Sequence, residues 1–340
     1  MKMYDVIVVG SASIDVFIAS KSKDIEIEKN SSHEDVCLPI GAKILLNSLH
    51  TGPGGGGVNV SAAFARLGLK TALISKLGKD EHAELLKKFL KREKVAFLGS
   101  STKGKTGYSI IITKLRDNRT ILTYKGNNDE LKTTDFSWNK LKAKWLYLGT
   151  MLGQSHKTQC KIAKYAKKNG INILFNPSLY LAEKGEKYLK PILDACNILV
   201  LNKEEAQALT RTKAEITTLL KKLQQKIPLV VITDGPKGAY AYNGIKMHSM
   251  RPKKVRVIET TGAGDSFTSA FLAAIMHKQD LPTALKWGAA QASSVIQHYG
   301  ATNILLTRKE IIKHVPKASK VKEVSPNKFV GTSSRKLSEV

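Results

Sequence analysis

The run Glu259-Thr260-Thr261-Gly262-Ala263-Gly264-Asp265-Ser266-Phe267 holds the residue types most suited to chemistry. Small residues let backbone N–H groups come close to a ligand. The first N–H groups of a helix have no internal partner, and the helix dipole favours an anion there. Phe267, Ala270, Phe271 and Ala274 are spaced for one face of a helix, and Val255-Arg256-Val257-Ile258 upstream reads as a strand end. Gly262, Ala263 and Gly264 therefore read as a pocket for a phosphate. Asp265 stands beside that pocket, where a carboxylate can take a proton from an attacking hydroxyl. Its other reading is a helix cap.

Further candidates stand at other strand ends. Val6–Val9 is an apolar run followed by Gly10-Ser11-Ala12-Ser13-Ile14-Asp15, which places Asp15 near the carboxyl end of a strand, where open α/β sheets bind ligands. A turn-forming Asp is the alternative. Gly52-Pro53-Gly54-Gly55-Gly56-Gly57-Val58-Asn59 includes four successive glycines, whose ordering is costly in backbone entropy. They read as a second contact to a small ligand rather than a linker. A helix follows, marked by Val60, Ala63, Phe64 and Leu67 and closed by Gly68. The Gly-Lys-Ser/Thr ending of a phosphate loop is missing. Asn202 and Glu205, three residues apart, suit a capping box or the water shell of a Mg²⁺ ion. Thr233-Asp234-Gly235-Pro236-Lys237-Gly238 suits a phosphate tail or a plain β-turn.

The elements that position these residues alternate. Apolar strands at Ala72–Ile74, Trp145–Leu148, Ile171–Phe175, Ile198–Leu201 and Leu229–Ile232 are interleaved with helices near Glu81–Glu93, Ser155–Asn169, Lys203–Leu209, Glu215–Gln225 and Thr283–His298. Strands without polar alternation, separated by helices, imply an α/β fold with a doubly wound, mainly parallel sheet. Two β-rich pieces break the rhythm. One holds Val16-Phe17-Ile18 and Lys43-Ile44-Leu45-Leu46 around a polar loop at Glu28–Asp35. The other holds Gly107–Leu115 and Arg119–Tyr124 joined by Asp117-Asn118, a hairpin signal. Together they are expected to form a small sheet that covers one end of the core and excludes water. The expected organisation is one domain over residues 1–315, with lid segments at about 14–50 and 106–127, and a basic, loosely ordered tail at 316–340.

Composition narrows the class. The 340 residues carry a formal charge of +27, with aromatics at only 6%. Pairs such as Lys87-Lys88, Lys167-Lys168 and Lys221-Lys222 fall on polar faces of amphipathic helices, so a solvated basic surface is favoured over a nucleic-acid interface. No apolar run approaches the roughly 20 residues of a membrane span, and the N-terminus shows no signal-peptide pattern. Cys37, Cys160 and Cys196 are scattered, without disulfide or zinc spacing, which suits the cytoplasm.

With these motifs in family order, the chain over about residues 4 to 314 resembles the PfkB/ribokinase family of sugar and nucleoside kinases. Gly54-Gly55-Gly56-Gly57-Val58-Asn59 through Arg66-Leu67-Gly68 is similar to the first family signature, and Thr261-Gly262-Ala263-Gly264-Asp265-Ser266-Phe267 to the second. The resemblance implies Asp265 as base, with Gly262, Ala263 and Gly264 as anion hole. It places sugar hydroxyls on Asp15, Gly55 and Asn59, and Mg²⁺ on Asn202 and Glu205 through water. Thr233 and Gly235, with Lys237 and Gly238 of the same turn, would line the phosphate tail, and Asn303 would lie near adenine. Gly56 stands where ribokinases often carry Lys, and Gln154 roughly where they place a sugar-binding Glu. Glu259 replaces the usual Asp, a position that bears on the monovalent-cation site of some members.

The implied reaction is ATP-dependent phosphorylation of a primary hydroxyl on a small, ribose-like sugar. A nucleoside kinase is the alternative, with Phe17, Tyr108 and Ile110 as candidates for a base slot. A phosphosugar kinase would need a basic pocket near Asp15. A non-catalytic sugar- or nucleotide-binding protein is the reading from another class. Family members often dimerise through the lid, so a homodimer is expected.

Overall fold

In the first strand, Tyr4–Val9, the side chains of Val6 and Val8 enter one apolar cluster and those of Ile7 and Val9 enter another. Successive side chains on a strand point to opposite faces, so a strand apolar at every position must be covered on both sides. The computed structural model describes residues 3–20, 25–29, 34–115, 118–315 and 319–324. Among them, ten strands form one sheet, in the order Lys322–Val324, Met247–Met250, Ala239–Tyr242, Leu229–Thr233, Ile198–Asn202, Asn172–Phe175, Ala143–Leu148, Tyr4–Val9, Thr71–Ile74 and Ala96–Phe97. The seven from Leu229–Thr233 to Ala96–Phe97 run parallel. Helices Gly56–Arg66, Ala263–Met276 and Leu281–Val295 cover one face, and Gly153–Lys168, Gly185–Leu193 and Ile216–Gln224 the other. Tyr4–Val9 lies between Thr71–Ile74 and Ala143–Leu148, so the chain departs in opposite directions on its two sides, and the crevice at its carboxyl end is where such sheets bind ligands.

A separate sheet has the order Asn118–Tyr124, Gly107–Leu115, Ser13–Ala19, Ser48–Gly54. Ser13–Ala19 runs parallel to Gly107–Leu115, and its other neighbour is antiparallel. Its strands come from two distant parts of the chain, residues 13–54 and 107–124, and its inner face turns toward the crevice through Asp15, Ser109 and Ile111.

Several expectations are corrected. Lys43–Leu46 is irregular, with Leu45 82% exposed, and the strand lies later, at Ser48–Gly54. Gly52, Pro53 and Gly54 are therefore strand rather than loop, and Pro53 is tolerated because the strand is an edge. The polar loop expected at Glu28–Asp35 overlaps a two-stranded ribbon, Glu26–Lys29 against Glu34–Cys37. Val255–Ile258 forms no strand. The Ile258 and Glu259 N–H groups both donate to the Ile296 carbonyl, at 2.8 and 3.2 Å, which ties the segment to a helix end instead of a sheet. Helices Leu179–Ala182 and Gly185–Leu193 were not anticipated. Residues 322–324, within the expected loose tail, pair with Met247–Ser249 as an outer strand. Asp117 of the hairpin connection and residues 316–318 and 325–340 of the tail lie outside the described residues.

Candidate active site

Helix Ala263–Met276 begins at Gly262, which has φ +81°, in the left-handed region that favours glycine. A Cβ there would also lie 2.4 Å from the Ala301 Cβ, so glycine is required twice over. The Ala263 N–H closes the turn onto the Thr260 carbonyl at 3.2 Å, and the Ser266 N–H starts the helical ladder on Gly262 at 2.9 Å. The N–H groups of Gly264 and Asp265 lie between them, in the first turn, where no helical acceptor exists. No side chain caps this helix, so Asp265 is not the cap. Its Oδ2 instead accepts the Asn59 amide at 2.9 Å. Burial lifts Asp265 to about 6, against the Asn59 hydrogen bond, and the Asp15 charge adds to the rise.

Asp15 sits inside the Ser13–Ala19 strand, not in a turn. Ser13 Oγ donates to its Oδ1 at 2.8 Å, and burial pushes its carboxyl above the usual range. Gly54 makes room for it, since a Cβ on Gly54 would fall 1.9 Å from Asp15 Oδ2. Gly55, with φ +84°, turns the chain from edge strand into helix Gly56–Arg66. A Cβ on Gly56 would come within 3.4 Å of Asp265 Oδ1. The glycines thus bring backbone against both carboxylates.

Three cavities adjoin at the start of helix Ala263–Met276, and Asp265 lines two of them. A polar one of about 300 Å³ is lined by Asp15, Gly55, Gly56, Asn59, Lys125 and Asp265, among others. A middle one of about 330 Å³ includes Arg119, Asn176, Asn202, Glu205, Gly264 and Asp265. An apolar one of about 450 Å³ runs from Thr233, Gly235 and Gly238 past Ala263 and Gly264 to Phe267 and Ala289. Asn202 and Glu205 form the capping box: Glu205 N–H donates to Asn202 Oδ1 at 2.8 Å, and Asn202 N–H to Glu205 Oε2 at 2.7 Å. Burial pushes Glu205 up to about 7, against the Asn202 N–H, and the charges of Glu204 and Asp265 add to the rise.

Several expected site residues stay outside these cavities. Gln154 donates to Thr158 Oγ1 of its own helix at 3.3 Å. Lys237 is exposed and faces Asp234 at 3.9 Å. Asn303 closes its own turn onto the Tyr299 carbonyl at 2.6 Å. Of the base-slot candidates, Tyr108 stacks on His82 and Phe17 lies against Tyr299. Ile111 lines the polar cavity and Ile110 does not, because neighbours on a strand face opposite ways.

Residues 3–308 match the profile described as pfkB family carbohydrate kinase. The chain belongs to this family. Listeria monocytogenes 5-dehydro-2-deoxygluconokinase is 28% identical over 281 residues, covering 76% of this chain and 85% of that protein. Bacillus subtilis ribokinase is 28% identical over 313 residues, covering 91% and 98%. Among solved structures, Arabidopsis thaliana ribokinase complexed with ribose and ATP superposes with a TM-score of 0.76 at 24% identity, covering 92% and 99%. Methanocaldococcus jannaschii nucleoside kinase gives 0.73 at 23%, covering 93% and 100%. These two show the ribokinase fold. The relatives are named as kinases, and this pfkB-family chain is a carbohydrate kinase.

In this kinase the residue that sequence reasoning missed is Arg119. It reaches from the lid strand Asn118–Tyr124 to donate to Thr260 Oγ1, and its Nε lies 3.5 Å from Glu259 Oε1. The signal was a cation just past the Asp117-Asn118 connection, at the start of a strand. Glu259 is buried; its Oε1 also accepts the Thr261 N–H and hydroxyl at 2.9 and 2.8 Å, while Oε2 has no hydrogen-bond partner among the described residues. As for divalent metal, no group of three or more His, Cys, Asp or Glu converges among the described residues. The donors that do face the middle cavity, Asn202 and Glu205, suit an ion held through its waters, and a cation beside Glu205 would lower its raised pKa. Among the described residues, no helix is long and apolar enough to cross a membrane.

Proposed function

We propose that this kinase transfers the terminal phosphoryl group of ATP to a primary hydroxyl of a small sugar, with Asp265 as the base. One observation carries the reading: Asp265 stands where a polar cavity meets a helix-start turn, and that turn also ends an apolar cavity. Adenine fits the apolar cavity between Phe267 and Ala289. The phosphate tail then runs along Thr233, Gly235 and Gly238 to the Gly264 and Asp265 N–H groups, with Gly262 shaping the turn. Asp15, Asn59 and the backbone of Gly55 and Gly56 receive the sugar hydroxyls.

Phosphoryl transfer needs little covalent help from a protein beyond positioning, charge stabilisation and a proton acceptor. At about 6, Asp265 is ionised at neutral pH yet basic enough to accept the hydroxyl proton as the new O–P bond forms. The Asn59 amide holds the carboxylate in place. Arg119, brought over by the lid, faces the same turn and supplies positive charge to the transferring group. Mg²⁺, held through water by Asn202 and Glu205, would neutralise charge on the nucleotide phosphates. Lid residues Leu49, Leu122 and Tyr124 are exposed, which supports self-association through that sheet, to be checked by light scattering. ATP as donor and three free thiols suit the cytoplasm.

A nucleoside acceptor is less well supported, because none of Phe17, Tyr108 and Ile110 lines the polar cavity. The test is phosphoryl transfer from labelled ATP across a panel of free sugars and nucleosides. Transfer to a sugar is expected; binding of ATP and sugar without any transfer would leave a non-catalytic binding protein.

A further inference from the structure

The polar cavity contains one group that a neutral sugar does not call for. Lys125, half-buried, follows directly on the lid strand Asn118–Tyr124 and lines the same cavity as Asp15 and Asp265. Its Nζ donates to the Tyr180 hydroxyl at 2.8 Å and lies 4.9 Å from the centre of the Tyr180 ring. Tyr180, on helix Leu179–Ala182, lines the cavity too. The hydrogen-bond partner of the ammonium thus carries no charge. Neither carboxylate of the cavity takes it as a partner: Asp15 is bonded by Ser13, and Asp265 by Asn59. Among the described residues Lys125 forms no ion pair, although its charge acts on the half-buried carboxyl of Asp129, four residues on, and opposes the rise that burial gives it.

An ammonium has three donors, and the tyrosine hydroxyl takes one. A half-buried cation with no carboxylate in hydrogen-bond contact gains from an anionic ligand, because a charge-assisted hydrogen bond is about twice as strong as a neutral one. The rest of the wall suits hydroxyls, through Asp15, Asn59 and Ser109. We propose that the natural acceptor is a polyhydroxylated compound bearing an anionic group, the carboxylate of a sugar acid or the ester of a sugar phosphate, and that Lys125 receives that group. This rests on the kinase reading above in taking the polar cavity as the acceptor site.

The test separates acceptor binding from phosphoryl transfer. Calorimetry on the full chain without nucleotide compares ribose and fructose with 5-dehydro-2-deoxygluconate and with fructose 1-phosphate, which distinguishes the two anionic sources. At least one anionic compound should bind at least tenfold more tightly than either neutral sugar. Lys125→Met should remove about tenfold or more of that affinity and leave neutral sugars within about twofold; Lys125→Arg should keep most of it. Tyr180→Phe should cost a smaller, anion-confined loss, since the ring stays and the tether goes. In turnover assays the Lys125→Met effect should fall on KM for the anionic acceptor and leave kcat nearly unchanged. Neutral sugars binding as tightly as both anions, or Lys125→Met weakening both kinds alike, overturns the assignment. Tight, Lys125-dependent binding of an anion that ATP never phosphorylates leaves it standing and defeats the kinase reading of the site. Efficient transfer to ribose with no preference for an anion does the reverse.

Discussion

The two ends of the site are built differently. The apolar cavity is walled by one face of two successive helices, Ala263–Met276 and Leu281–Val295, and by the turn after Leu229–Thr233. The polar cavity is walled by the Gly55-Gly56 turn on one side and by lid strands on the other, with Lys125 and Tyr180 at its edge. A nucleotide needs shape and a few backbone donors, which neighbouring helices provide. An acceptor needs a particular set of polar partners, and on the proposed reading the lid supplies them from the far side of the crevice. Donor recognition should therefore tolerate changes in the lid, while acceptor recognition and catalysis should not.

That contrast can be broken at several points. The largest expected effect is Asp265→Asn, which should lower kcat by about 10²–10⁴, the usual loss of a general base, while ATP and acceptor still bind. A loss under about tenfold in rapid-quench measurements would put the base elsewhere. Next is Gly54→Ala, whose Cβ would overlap Asp15 Oδ2. Displacing a positioning group by about 1 Å can cost about 100-fold, so kcat/KM for the acceptor should fall by about that much, with KM for ATP unmoved. A matching rise in KM for ATP would show that the cavities are not separable. On the other side, Ala289→Leu should raise KM for ATP about tenfold, the scale of a few added methylenes in an apolar slot, and leave acceptor affinity alone.

The smallest effects concern pH. At saturating Mg²⁺, which would keep Glu205 ionised, and with Asp265 at about 6, kcat/KM should fall about tenfold per unit as pH drops below about 6 and be flat above it. The stability effect has the opposite sense. A carboxyl raised in the folded state binds more protons there than in the unfolded chain between about 4 and 6, so its contribution declines as pH rises through that window. Asp265→Asn should accordingly raise the melting temperature at pH 7.5 by a few degrees, a gain of about 1–2 kcal/mol. Unchanged melting would mean that the carboxylate is not strained by burial. An active site commonly holds such a group at some cost to the fold.

Much of this was legible in residues 259–267 and in the alternation of apolar strands with helices. A left-handed glycine, a helix start and a strand apolar at every position leave marks within a few residues of themselves. The structure changed what depends on partners. The glycine run ends an edge strand and begins a helix because Ser13–Ala19 pairs with Ser48–Gly54. Gln154, Lys237 and Asn303 satisfy their polar groups locally and turn away from the crevice.

By itself the sequence determined the parallel sheet, the glycine turn that starts a helix and the presence of Asp265 beside it, since periodicity and backbone chemistry act over short stretches of chain. Only the tertiary structure decided that Asn59 holds Asp265 across 206 residues, that Arg119 reaches Thr260 across 141, and that Lys125 meets Tyr180 across 55. The first depends on two helices packing side by side, and the other two on strand register in the lid. A slip of one residue would exchange its inner and outer side chains, and the local pattern of the lid strands does not say which neighbour they will pair with.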